Sequence, residues 1–141
     1  MNLDELIGQF AKNNGIDKPT LEHGYYHIYM EGVEVLCSQA SGVLLIEAAV
    51  APLAKYKGQR GADNRRLLEK SLGLIRNQRC CLTLNEESGE YWLYQRVAMD
   101  DLRVDAFQEY IESFGGCCLY YKGLFSQGES GPSPADGMML P

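Results

Sequence analysis

Five cysteines and two histidines are the side chains of this 141-residue chain best suited to chemistry. The cysteines are Cys37 and two adjacent pairs, Cys80-Cys81 and Cys117-Cys118. Neighbouring cysteines rarely bridge each other, and neither pair has the spacing of a zinc knuckle or a redox pair. His23 and His27 stand four apart, which aligns two ligands only on a helix, whereas HGYYH reads as a strand or its lead-in. No metal site is expected, and the thiols are expected to be reduced and mostly buried, acting as small apolar groups. A nucleophile needs a base and an orienting group that converge in space. No serine lies in a nucleophile-elbow pattern, and Gly58-Gln59-Arg60-Gly61 lacks the Lys and Ser/Thr of a phosphate loop. Glu86, Glu87 and Glu90 surround a hairpin turn and read as solvated charge. No catalytic residue is assigned, no cofactor is implied, and the chain is not expected to be an enzyme.

The charge balance narrows the partners. Net charge is −6 and the isoelectric point about 4.9, so polyanions are unsuited: phosphate neutralisation needs a basic stripe. The nearest approach to one, Arg60, Arg65 and Arg66 with Lys55 and Lys57, is surrounded by acids. No nucleic acid is expected as a partner. The opening MNLDELIGQF is acidic and amphipathic, unlike a secretory signal. The longest apolar run, 43–53, is broken by Glu47 and Pro52 and is too short for a bilayer. No membrane is expected either, and the protein should remain inside the cell unless a machine exports it.

These residues must be carried by a small set of elements. Leu3, Leu6, Ile7, Phe10 and Ala11 have helical spacing, Asp4 and Glu5 favour the first turn, and Asn13-Asn14-Gly15 stops the helix. Strands are predicted at 25–30, 33–38 and 43–50, joined at Glu31-Gly32 and Ala40-Ser41-Gly42 into an antiparallel meander that Pro52 ends. After a polar loop at 56–61, Asp63 or Asn64 caps a second helix with Leu67, Leu68, Leu72 and Ile75 on its apolar side. Gly73 inside that helix suggests close approach of another backbone, and Asn77 stops it. A second hairpin, 80–84 and 91–98, turns through 85–89. Asp100 and Asp101 then cap a long helix striped by Phe107, Tyr110, Ile111, Phe114, Cys118 and Tyr121, bent at Gly115-Gly116. Residues 126–141, rich in Gly, Ser and Pro, read as a disordered tail behind a single domain at 1–125. The fold class is α+β, an antiparallel sheet of about five strands with three helices in the order α-β-β-β-α-β-β-α.

The meander is apolar on both sides. Tyr26, Ile28 and Met30 share one face and Tyr25, His27 and Tyr29 the other; Leu44, Ile46, Ala48 and Val50 oppose Val43, Leu45, Ala49, Ala51 and Glu47. A domain this small covers only part of such a sheet, and the remaining apolar area is suited to a partner. The alternative is that both faces are covered inside one domain.

This order of elements, with the low isoelectric point, resembles the class I chaperones of bacterial type III secretion, the Tir-chaperone family. The resemblance covers about residues 1–125. Asp4-Glu5-Leu6-Ile7 and Phe10-Ala11 look like the opening helix, Glu90-Tyr91-Trp92-Leu93-Tyr94 like the aromatic strand after the hairpin turn, and Asp100 or Asp101 like the lead into the last helix. It implies a virulence-associated protein of the bacterial cytoplasm, a homodimer, with secreted effector proteins and the secretion ATPase as partners. Effectors would lie on it extended, anchoring apolar side chains and adding strands to sheet edges, without ATP use by the chaperone itself. The expected effector-binding residues are Ile7, Phe10, Ile28, Met30, Val35 and Leu45, and a one-residue change of strand parity would exchange the two sets. The expected dimer interface is Leu68, Leu72, Gly73 and Ile75 with Trp92. The alternative function is a non-enzymatic α/β binding or sensory module recognising a folded protein or a small ligand.

Overall fold

The structure is a computed structural model and describes residues 2–52, 65 and 80–130. Helix α1 (Leu3–Asn13) opens the chain. Its first turn is closed by a capping box: the Asn2 side chain accepts from Glu5 N–H at 2.9 Å, and Glu5 Oε1 accepts from Asn2 N–H at 3.2 Å. Both satisfy main-chain donors that the helix itself leaves free. Sequence reading had credited the first turn to acids alone. Six antiparallel strands follow: β1 (Leu21–Glu22), β2 (Tyr25–Met30), β3 (Val33–Ala40), β4 (Val43–Pro52), β5 (Cys81–Asn85) and β6 (Glu90–Ala98). Helix α2 (Val104–Ser130) ends the described chain. The spatial order is β1-β2-β3-β4-β6-β5.

Two-residue turns set the register of the meander. Glu31 and Gly32 (φ 49° and 81°), then Ser41 and Gly42 (51° and 76°), are all left-handed, the backbone that matches the twist of a tight hairpin. The pairs Ile28↔Val35 and Cys37↔Ile46 follow. β4 then pairs along its length with β6, from Val43↔Ala98 to Pro52↔Glu90, with a register shift between Ala49 and Ala51. The extra residue explains why Val50 and Ala51 are both buried, and it moves Ala51 to the face opposite the one read from alternation.

The core lies between one sheet face and the two helices. Ile28, Val35, Cys37, Leu44, Ile46, Ala48 and Leu93 supply the sheet side; Leu6, Ile7 and Phe10 come from α1, and Phe107, Ile111, Phe114, Cys118 and Tyr121 from α2. Phe10 meets Phe107 edge to face at 5.6 Å between ring centroids. The Tyr26 hydroxyl donates to Asp4 Oδ1 at 2.8 Å, and Gln39 Oε1 accepts from Leu3 N–H at 3.0 Å, tying α1 to the sheet.

Two expectations change. The sheet has six strands, because two residues before the His23-Gly24 turn also pair, through Leu21↔Tyr26 and Glu22↔Tyr25. Asp100 and Asp101 do not cap the last helix: Asp101 is itself left-handed (φ 59°), and Phe107 N–H donates to the Arg103 carbonyl at 2.9 Å, which puts the cap at Arg103. That helix runs through Gly115-Gly116 and on to Ser130. Two helices stand among the described residues. The second helix read from the sequence, with Asp63, Asn64, Leu67, Leu68, Leu72, Gly73, Ile75 and Asn77, lies outside them, as do residues 131–141.

Candidate functional site

Strand pairing sorts the sheet residues into two faces, since directly opposed residues project to the same side. One face is the core. On the other, a row runs His27, Leu36, Glu47, Tyr94, Cys81 across five strands. Beside it lie Ser38, Leu45 and Arg96 on one flank and Ala49, Trp92 and Thr83 on the other. Leu36, Leu45, Trp92 and Tyr94 are only half-buried, so this face keeps accessible apolar and aromatic area. The Trp92 indole donates to Ser88 Oγ at 3.3 Å, which orients the ring.

Glu47 stands in the middle of this face. Its Oε2 is buried with no hydrogen-bond partner among the described residues, and burial raises its carboxyl above the ordinary carboxylate range. At the outer corner Tyr29 is 72% exposed, the largest exposure of any bulky apolar or aromatic residue described. Its hydroxyl donates to Glu34 Oε2 at 2.6 Å, and His27 Nδ1 lies 3.1 Å from the same oxygen. Those two contacts, Tyr29 first, hold the Glu34 carboxyl below its ordinary value, while Glu34 raises the Tyr29 phenol. Ile16, Pro19, Glu22, His27, Tyr29 and Glu34 line a shallow cleft there. β1 shields only the start of β2, so residues 27–30 present an outer edge to which no described strand is paired.

The predicted binding residues divide between the two faces. Ile7, Phe10, Ile28 and Val35 are at most 2% exposed; they hold α1 on the sheet, and a partner cannot reach them in this structure. Met30, opposite Val33, is partly buried at the rim of the core. Leu45 alone lies on the open face, opposite Ser38. Combining Ile28 and Val35 with Leu45 mixed the two sides of one sheet. Leu36, Tyr94 and Tyr29 share the open face with Leu45 and are not in the set expected from the sequence; the polar residues at Glu34, Ser38 and Glu47, on the same parity, signal that this side is not the core. Of the interface residues, Trp92 is on the open face, while Leu68, Leu72, Gly73 and Ile75 lie outside the described residues.

The five cysteines form no disulfide with one another: Cys37, Cys80, Cys117 and Cys118 are buried and Cys81 is half-buried. Burial pushes Cys37 and Cys118 up to about 12, where a thiol is a poor nucleophile or metal ligand at neutral pH. Among the described residues no three His, Cys, Asp or Glu groups converge on a metal position, and no helix is long and apolar enough to cross a membrane. What the open face offers chemically is apolar contact, hydrogen bonding and an unpaired strand edge.

Comparison with known proteins agrees with this geometry. Residues 5–115 match the Tir chaperone protein (CesT) family. A chain of the HopA1–SchA chaperone–effector complex superposes with a TM-score of 0.69 at 18% identity, covering 84% of this chain and 91% of that one. For the Yersinia pestis type III secretion chaperone SycH, in complex with a fragment of YscM2, the values are 0.63, 12%, 85% and 99%. YbjN of E. coli, a putative transcription regulator, shares the fold too, at 0.61, 14%, 90% and 93%. No curated protein matches the sequence. The chain belongs to the Tir chaperone protein (CesT) family: it is a type III secretion chaperone that binds effectors, and not an enzyme.

Proposed function

We propose that this chaperone works as a homodimer in the bacterial cytoplasm and holds an extended segment of one or more secreted effectors in a form ready for export. The observation that carries this reading is the half-buried apolar row on the open sheet face, continuous with the unpaired edge of β2. An extended client has no fold of its own, so its binding draws on a few side-chain anchors and on main-chain pairing, less the cost of ordering it. Leu36, Leu45, Tyr94 and Tyr29 supply the first, and β2 supplies the second. Met30 lies at the rim of the core beside that edge, whereas Ile7, Phe10, Ile28 and Val35 act indirectly by fixing α1. The dimer would be built by the second helix expected between β4 and β5, through Leu68, Leu72, Gly73 and Ile75, together with Trp92.

Amide hydrogen exchange tests the client surface. Adding the N-terminal segment of an effector should slow exchange at residues 27–30 and along β3 and β4. Protection confined to the outer side of α2, at Tyr110, Leu119 and Tyr120, would place the client elsewhere.

A further inference from the structure

Two of the buried thiols are neighbours in space although 37 positions separate them in sequence. Cys80 Sγ lies 3.7 Å from Cys117 Sγ, and among the described residues its proton can be donated to Cys117 or to Gln95 Oε1 at 3.5 Å. Gln95 is a polar side chain buried in the core, 5% exposed, and it lies on one side of this thiol pair. Cys80 immediately precedes β5 and Cys117 is in the middle of α2, so the pair spans the joint between the sheet edge and the long helix. We propose that Cys80 and Cys117 form an oxidisable dithiol which hydrogen peroxide converts to a disulfide, joining the residue just before β5 to α2.

The chemistry runs in two displacements. The Cys117 sulfur attacks one peroxide oxygen; the O–O bond breaks, the leaving oxygen takes up the thiol proton and departs as water, and Cys117 is left as a sulfenic acid. The Cys80 sulfur then attacks the Cys117 sulfur. The S–S bond forms, the S–O bond breaks, and the hydroxyl leaves with the Cys80 proton as a second water. Two electrons pass from the sulfur pair to the peroxide, which is reduced to two waters. The geometry assigns the order of attack: the hydrogen bond from Cys80 lowers Cys117 below the ordinary thiol value and, with burial, raises Cys80 above it. Cys117 is therefore the better thiolate and Cys80 the resolving thiol. The neighbours Cys81 and Cys118 are differently placed. Cys81 pairs with Tyr94 on the open face, and Cys118 is held protonated by burial. Access requires the start of β5 to open, which is easier for a strand that, among the described residues, is paired on one side only.

The test uses the full chain carrying Cys81→Ser and Cys118→Ser, so that adjacent cysteines cannot confuse the mapping, beside the wild-type chain. Each is treated with hydrogen peroxide, alkylated after unfolding, and digested for mass spectrometry. The expected result is a Cys80–Cys117 cross-linked peptide in both proteins, two hydrogens lighter than the separate peptides, with Cys37 alkylated. Dithiothreitol should reverse it, and its rate of formation should rise with pH. Recovery of Cys80 and Cys117 as alkylated thiols, a bridge mapped to Cys37, or oxidation halted at sulfinic acid on either residue would overturn the proposal.

Discussion

At the residue scale, two side chains separate the holding of the fold from its use. Phe10 has the amphipathic-helix spacing of an exposed anchor, yet it is 2% exposed and meets Phe107 edge to face. Phe10→Ala should cost about 3–5 kcal/mol in urea unfolding, a large part of the 5–15 kcal/mol that folded domains typically have. Its failure to bind a client would then report unfolding. Glu47 works in the other direction. Burial raises its carboxyl in the folded chain, so ionisation opposes folding. The penalty is absent below the unfolded carboxylate value, grows as pH rises through the raised folded value, and is constant above it. Glu47→Gln should therefore unfold at a higher temperature than wild type at pH 7, with the advantage gone below pH 4; an equal advantage at both pH values would show that the charge is not the cause. Neither role could be read from local sequence. Glu47 was legible as the polar member of an alternating strand, but whether its face was covered depended on where two distant helices pack.

At the element scale the strands were more legible than the helix ends. Glu31-Gly32 and Ser41-Gly42 marked both meander turns, since only a left-handed pair suits a two-residue hairpin. Gly32 has no heavy atom within 4 Å of where a Cβ would stand, so Gly32→Ala tests backbone conformation without a clash. It should cost about 1 kcal/mol through its φ of 81°, and no loss of denaturation midpoint would contradict the left-handed turn. Asn2 with Glu5 is a capping signature visible in the sequence and passed over; Asn2→Ala should likewise cost about 1 kcal/mol. The start of α2 was read one turn early because Asp100 and Asp101 are good cap residues by type. The chain instead spends them on a turn in which Leu102 N–H donates to the Met99 carbonyl, and the helix begins behind Arg103. β1 was missed because two residues carry no periodic pattern; only the neighbouring strand defines them.

At the scale of the whole molecule, layout carried more information than any motif. No catalytic group marks this family, and the reading rested on the order of elements, the acidic balance and a sheet with more apolar area than three helices cover in so small a domain. A homodimer implies a solution mass twice 15.8 kDa by light scattering, and Gly73→Trp should shift it toward the monomer; an unchanged dimer would remove that helix from the interface. The most direct measurement is a calorimetric titration of the chaperone with the N-terminal segment of a secreted effector encoded beside it, using wild type, Leu45→Asp and Glu86→Lys. Leu45 is a half-buried side chain of the open face, while Glu86 is exposed at the tip of the β5–β6 hairpin. The account predicts binding with a negative heat-capacity change, a loss of affinity of about tenfold or more for Leu45→Asp with mass and fold retained, and wild-type affinity for Glu86→Lys. A folded Leu45→Asp chaperone that holds the segment as tightly as wild type would contradict it.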